Sequence, residues 1–136
     1  MYDVGNVLGI KNAVSLDFSS KISKGLSFRV ARRVQNLLAV PDRDFARILG
    51  ISISTLRRLK KRKGKLSFVS SDRLYRLAYL FAWAVTVLEK EEAARRWLSH
   101  PQFGLGGQIP LKMAHTEIGS REVEGILSGI EHGTCL

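Results

Sequence analysis

The sequence has almost no cysteine, little histidine or proline, and no hydrophobic run long enough to cross a bilayer; each shortage removes a class of protein. Its one cysteine, Cys135, leaves no intrachain disulfide to form and points to a cytoplasmic chain rather than a secreted scaffold. The longest apolar stretch, residues 77–88, covers 12 residues with Thr86 among them, short of the roughly 20 that a membrane helix requires. Asp3 stands where a secretory leader would be positive, and no Ala-x-Ala pattern follows an apolar core, so neither a signal peptide nor a membrane partner is expected.

Catalytic and metal-binding patterns are missing too. His100, His115 and His132 are too widely spaced for a local metal clamp, and no cysteine lies close enough to help. Gly104-Leu105-Gly106-Gly107 is followed by no Lys-Ser or Lys-Thr and preceded by no strand, so it reads as a turn rather than a phosphate loop. Glu91 and Glu92 are neighbours on a charged helix face, a poor arrangement for paired acid and base work. No serine sits in a nucleophile-elbow context. The expectation is a protein that is not an enzyme and takes neither cofactor nor metal.

What is present is an apolar content of 45% in 136 residues, enough for one globular domain or two small helical modules sharing a core. The net charge of +10 is unevenly placed. Residues 1–70 carry 15 Lys or Arg against 4 Asp or Glu, and residues 71–136 carry 7 against 8. The N-terminal half is suited to a polyanion and the C-terminal half to something else, although a solvated basic surface would look the same by charge alone.

Residues 1–25 show no strong periodicity and read as a loosely held N-terminal arm. From Ser27, Val30, Val34, Leu37 and Leu38 recur at helical spacing until Pro41. A second helix is predicted from Asp42 as N-cap to Leu49, with Gly50 ending it, and a third from Ser52 to Gly64. The longest should run from Ser71 to about Glu89 with Leu74, Leu77, Ala78, Phe81, Ala84, Val85 and Leu88 inward. Tyr75, Tyr79 and Trp83 form a second stripe, either further core or a subunit interface. Glu91–Arg95 and Glu92–Arg96 pairs support a short helix to Leu98, in which Trp97 reads as core although it could anchor a partner. Pro101, Gly104, Gly106, Gly107 and Pro110 then enforce a loop, and a last helix should start near Ser120, bury Val123, Ile126, Leu127 and Ile130, and end at Gly133. No alternating run insists on a strand, so the fold class is all-α.

Residues 42–61 read Asp-Arg-Asp-Phe-Ala-Arg-Ile-Leu-Gly-Ile-Ser-Ile-Ser-Thr-Leu-Arg-Arg-Leu-Lys-Lys and resemble a helix-turn-helix DNA-binding unit. Ala46 is small where two helices must approach, Gly50 supplies positive φ, and Leu56 and Leu59 would lock the second helix against Phe45 and Leu49. That packing leaves Ile53, Ser54, Arg57, Arg58 and Lys61 to face a major groove, with Ser52 and Thr55 as nearby hydroxyls; Arg57 and Arg58 are the candidate base readers. Lys60, Arg62, Lys63 and Lys65, with Arg43 and Arg47, are candidate phosphate contacts. A hairpin that merely packs has no need of so many exposed cations. One recognition helix reads few base pairs, so useful affinity implies a homodimer on two half-sites.

The second half contains Ala94-x-x-Trp97-Leu98, Pro101, Leu105-Gly106-Gly107-x-x-Pro110-Leu111, Thr116-x-x-Gly119-x-x-x-Val123 and Leu127-x-x-Ile130-x-x-Gly133. This string resembles the toxin-binding domain shared by the Xre/MbcA/ParS antitoxins, and its place behind a Xre-type helix-turn-helix resembles the antitoxin of a RES-Xre module; the resemblance covers about residues 28–133. It implies a type II antitoxin that neutralises a RES-domain toxin, an enzyme that depletes NAD, by placing its C-terminal end in the toxin's active-site cleft, while the complex represses its own operon through duplex operator DNA. Carried over, Leu105, Gly106, Gly107, His132, Gly133, Thr134, Cys135 and Leu136 become candidate toxin contacts; His132 stands where an aromatic such as Tyr would be expected. The expected organisation is an arm at 1–25, a Xre-like helix-turn-helix at 26–68, and a dimerisation and toxin-binding region at 69–136. Two other readings remain open: a stand-alone helix-turn-helix transcriptional regulator without a toxin, and a module whose basic half binds an acidic protein or a membrane surface.

Overall fold

Five helices start on a short polar side chain that accepts from a first-turn amide, and those five starts set much of the architecture. They are Asp3 before α1 (Val4–Leu8), Ser27 before α3 (Phe28–Leu38), Ser52 before α5 (Ile53–Arg62), Ser67 before α6 (Phe68–Leu88) and Thr116 before α9 (Glu117–Glu131). The remaining helices are α2 (Ser15–Lys24), α4 (Asp42–Leu49), α7 (Glu91–Ser99) and α8 (Pro110–Met113), with a 3-10 turn at Phe103–Leu105. The computed structural model describes residues 2–10 and 15–133. Over them the chain is all-α, with two isolated antiparallel bridges, Ser27 to Lys65 and Gln102 to Gln108, and no sheet.

The spine is α6, 21 residues long and so about 31 Å from end to end. It buries Leu74, Leu77, Ala78, Phe81, Ala84 and Val85, and also Leu80 and Ala82 on a second face. A helix buried so widely must be covered on several sides, and α6 packs against α1, α2, α3, α4, α7 and α9. One apolar cluster runs from Val7 through Phe45 and Phe81 to Leu127, so the two halves of the chain share a core.

Two serines in the first turn of α6 fix the basic half to this spine. Ser70 Oγ donates to the Leu49 carbonyl at 2.8 Å, occupying an orphan acceptor at the end of α4, and Ser71 Oγ accepts from Leu26 N at 2.8 Å. Both serines are buried, where an unpaired hydroxyl would be costly.

The structure revises several element expectations. Residues 4–8 and 15–24 are helices rather than a loose arm: Val7, Leu8, Phe18 and Ile22 enter the core. Arg33 closes the end of α1 by donating to the Val7 and Asn6 carbonyls, and Tyr2 Oη donates to Glu91 Oε2 at 2.9 Å. Helices this short draw their stability from tertiary contacts that leave no periodicity. Asp42 is not a cap but the first residue of α4, behind Pro41. The left-handed residue ending α5 is Lys63, not Gly64. The long helix begins at Phe68 rather than Ser71 because Ser67 is its cap. The last begins at Glu117, capped by Thr116; Ser120 lies buried inside it, its hydroxyl without a hydrogen-bond partner among the described residues. Glu92 pairs with Arg96 at 3.1 Å, but Glu91 is taken by Tyr2 while Arg95 donates to the Leu37 carbonyl at 3.1 Å, so the Glu91–Arg95 pair does not form.

Candidate functional site

The basic face rests on how α5 is seated. Leu56 is fully buried, and Leu59 and Ile53 are half-buried against the core that holds Phe45, Ala46, Ile48 and Leu49 of α4. The chain turns between the two helices at Gly50, whose φ of 75° lies in the left-handed region that disfavours a Cβ. The guanidinium of Arg73, reaching over from α6, covers this turn so closely that a Cβ on Gly50 would lie 2.6 Å from its Nη1.

Seating Leu56 inward decides what points outward. At about 100° per residue, Ser54 and Arg58 stand about 160° from Leu56 on either side, Lys61 about 140° from it and Arg57 about 100°. Ser54, Arg57, Arg58 and Lys61 are exposed, as are Arg62, Lys63, Lys65 and Arg43. None of these cations is hydrogen-bonded or ion-paired within the described residues. Three of them lie in or beside the last turn of α5, where positive charge also complements the helix dipole.

The other candidates in this half are engaged elsewhere. Lys60 Nζ sits 2.8 and 2.7 Å from the two Asp42 oxygens, and Asp42 Oδ1 also accepts from Gln35 Nε2 at 2.7 Å. The Lys60 hydrogen bond, then that of Gln35, holds the Asp42 carboxyl below the usual carboxylate range. Lys60 therefore fastens α5 to α4 and its ammonium is not free. Ser52 caps α5 through Thr55 N and donates to Thr55 Oγ1 at 3.0 Å, which engages the Ser52 hydroxyl locally as both acceptor and donor. Ile53 is turned into the core rather than fully outward. Arg47 is exposed but lines a cavity of about 110 Å³ with Pro41, Ile48, Ile109, Leu111 and Lys112, between α4 and α8 and apart from the outer face of α5.

On α6 the aromatic stripe is continuous. Phe18 meets Tyr75 at 5.4 Å, Tyr75 stacks on Tyr79 at 6.5 Å, and Tyr79 meets Trp83 edge-on at 5.9 Å. Burial, and then the neighbouring Tyr79, raise the Tyr75 phenol above its ordinary value. Tyr79 stays 42% exposed, and Trp83 Nε1 donates to Glu131 Oε1 at 3.2 Å, tying the stripe to the end of α9.

The C-terminal candidates separate into two kinds. Leu105 is only 6% exposed and is a core residue, so its side chain is not available to a partner. Gly106 and Gly107 are exposed at φ 65° and 83° with no atom within 4 Å of a Cβ. Trp97 is half-buried against the core. His132 is exposed at the end of α9, with its Nδ1 2.9 Å from the Ser128 carbonyl. Gly133 follows at φ 74°. Thr134, Cys135 and Leu136 lie outside the described residues. No group of His, Cys, Asp and Glu among the described residues could hold a metal ion, and no described helix is long and apolar enough to cross a membrane.

Sequence reasoning missed Ser70, Ser71 and Arg73, which fasten or cover the segments around the basic face, and Arg33, which fastens α1 to α3. For α1 a usable signal was present: Asp3 and Asn6 form a reciprocal cap, a spacing of polar residues readable without coordinates.

Comparison with known proteins finds two family matches along the chain. Residues 17–79 match the family described as antitoxin Xre-like helix-turn-helix domain. Residues 84–133 match the antitoxin Xre/MbcA/ParS C-terminal toxin-binding domain, so the two regions meet within α6. The chain is 30% identical to the antitoxin Xre of Photorhabdus laumondii over 128 residues, 93% of this chain and 86% of that protein. It is 36% identical to the antitoxin Xre of Pseudomonas putida over 83 residues, 61% and 52% of the two chains. Against that of Yersinia enterocolitica it is 28% identical over 113 residues, 82% and 76%.

Proposed function

The chain belongs to the Xre family of antitoxins, a family of helix-turn-helix and toxin-binding domains and not of enzymes, and from that premise we propose that it neutralises a RES-domain, NAD-depleting toxin and represses its own operon as the antitoxin of a type II module. The observation that supports the reading is the contrast in charge on the two sides of α6. Before it lies a helix with unpaired outward cations, and after it a half that is slightly acidic overall.

On the operator, Arg58 and Arg57 would each pair with guanine O6 and N7, with Ser54 beside them. Arg43, Lys61, Arg62 and Lys63 would hold phosphates and fix register. Ser52, Thr55, Ile53 and Lys60 act one step back, by shaping and fastening α5, and Arg47 contributes at the margin. Two copies joined through Tyr75, Tyr79 and Trp83 would present two such helices to a palindromic site. On the toxin, Gly106 and Gly107 would let the partner's backbone approach, and His132, Gly133 and the tail to Leu136 would occupy the catalytic cleft. The proposed organisation is residues 1–25 as an N-terminal segment, 26–68 for DNA and 69–136 for dimerisation and toxin, in a cytoplasmic protein.

The test is co-expression with the protein of the neighbouring reading frame. Cellular NAD should fall when that protein is made alone and hold when this chain accompanies it, and the two should co-purify. No complex, and NAD unaffected by either protein, would refute the reading.

A further inference from the structure

Phe103 is the most exposed large apolar side chain among the described residues, at 91%, and it stands on a firmly held turn. Leu105 N and Gly107 N both donate to the Gln102 carbonyl, Gly106 N donates to that of Phe103, and Gln102 N donates to that of Gln108, all at 2.9 to 3.0 Å. Gln102 Nε2 ties the same turn back to the Trp97 carbonyl at 2.8 Å, and Leu105 pins it from below. A lone exposed phenylalanine on a loose loop would be ordinary surface. Held on fixed backbone with only two side-chain torsions of its own, it has little freedom left to lose when a partner closes over it.

The surroundings narrow the partner. Residues 97–111 contain no Asp, Glu, Lys or Arg, the longest uncharged run in a chain that is one quarter charged. Unlike residues 77–88, which are largely core, this run shows solvent His100, Pro101, Gly104, Gly106, Gly107 and Gln108 around the phenylalanine. A run of chain without cations offers a polyanion little to hold, whereas depletion of charged residues beside an aromatic is characteristic of the core of a protein interface. The turn lies within the region matched as toxin-binding and packs on α9, the helix that leads into His132 and Gly133.

Resting on the toxin-binding reading above, we propose that Phe103 is the anchor of a second toxin contact, inserting into an apolar pocket of the toxin while the glycines around it admit the partner's backbone. The tail would block the cleft; the Phe103 turn would supply the affinity that keeps it there. Leu105 supports this contact from beneath.

The experiment is titration of the purified toxin encoded by the adjacent frame with the wild-type chain, Phe103→Ala and Phe103→Trp. Alanine should weaken binding by about thirty-fold or more, the level of an interface hot spot, with melting temperature and DNA affinity unchanged, and tryptophan should largely restore it. Placing p-benzoylphenylalanine at 103 should crosslink to the toxin. If the wild type binds and Phe103→Ala binds within two-fold of it, the anchor is overturned and the toxin reading stands. If the wild type itself does not bind, both fall.

Discussion

Replacing Gly50 with alanine separates two forces that meet where α4 turns into α5. The first is backbone: at φ 75° and ψ 31° a Cβ raises the energy by about 1–2 kcal/mol. The second is steric, since the new carbon would lie 2.6 Å from Arg73 Nη1. That atom is the far end of a flexible side chain and can swing aside, so backbone strain should dominate. Stiffening of the unfolded chain returns about 0.4–1 kcal/mol, leaving a net loss of about 1 kcal/mol and a melting temperature lower by about 4 °C. Gly125 supplies the opposite case. It lies inside α9, exposed, with no atom within 4 Å of a Cβ and no positive φ, so Gly125→Ala should raise stability by about 0.8–1 kcal/mol. Thermal melts of Gly50→Ala, Arg73→Ala, the double variant and Gly125→Ala complete the comparison. Most of the loss at Gly50 should persist in the Arg73→Ala background. A neutral or stabilising Gly50→Ala, or a loss that vanishes without Arg73, would refute this account of the turn.

Salt dependence distinguishes the free cations from the engaged one. Lys61→Ala should lower the slope of log affinity for DNA against log salt by about one, whereas Lys60→Ala should leave the slope nearly intact and lower stability by breaking its pair with Asp42; equal slopes for both variants would contradict the assignment. Because the folded Asp42 carboxyl titrates below its ordinary value, its contribution to stability is complete above the unfolded value of about 4 and is lost as pH falls through the folded one. Urea melts from pH 6 downward should show Asp42→Asn flattening the acid side of the profile, and an unchanged profile would remove the pair from the account. Deleting residues 132–136 should release toxin activity while DNA binding persists, and an unchanged neutralisation titre would eliminate the plug.

How much of this was legible depended on whether a segment carried its own signal. The helices α3, α4, α5 and α6 did, through apolar residues at helical spacing, a serine before α3 and α5, and a glycine after α4. The four-residue α8 did not, because so short a helix is set by what it packs on, and the five-residue α1 carried only its Asp3–Asn6 cap. Ser120 misled for a physical reason: Gly119 looks like a break before a helix, yet it sits in the first turn of α9, where Thr116 caps its amide. In the candidate site, which residues of α5 face solvent followed from burying Leu56. That Lys60 is tied to Asp42 did not, since their 18-residue separation carries no local pattern. Leu105 and Phe103 lie two apart in one glycine-rich turn, one buried and one almost wholly exposed; with no helical or strand period to orient them, only the fold distinguishes them.

The central claim is that α5 reads DNA with side chains the rest of the protein leaves free. The measurement that addresses it is the affinity of Arg58→Ala, Arg57→Ala and the double variant for the duplex upstream of the chain's own gene and for a scrambled duplex of equal length. The orientation of α5 predicts that the double variant loses its preference for the upstream sequence, that Arg58→Ala loses more of it than Arg57→Ala, and that toxin binding is untouched. A double variant that still prefers its own upstream sequence, with its fold intact, would contradict the claim.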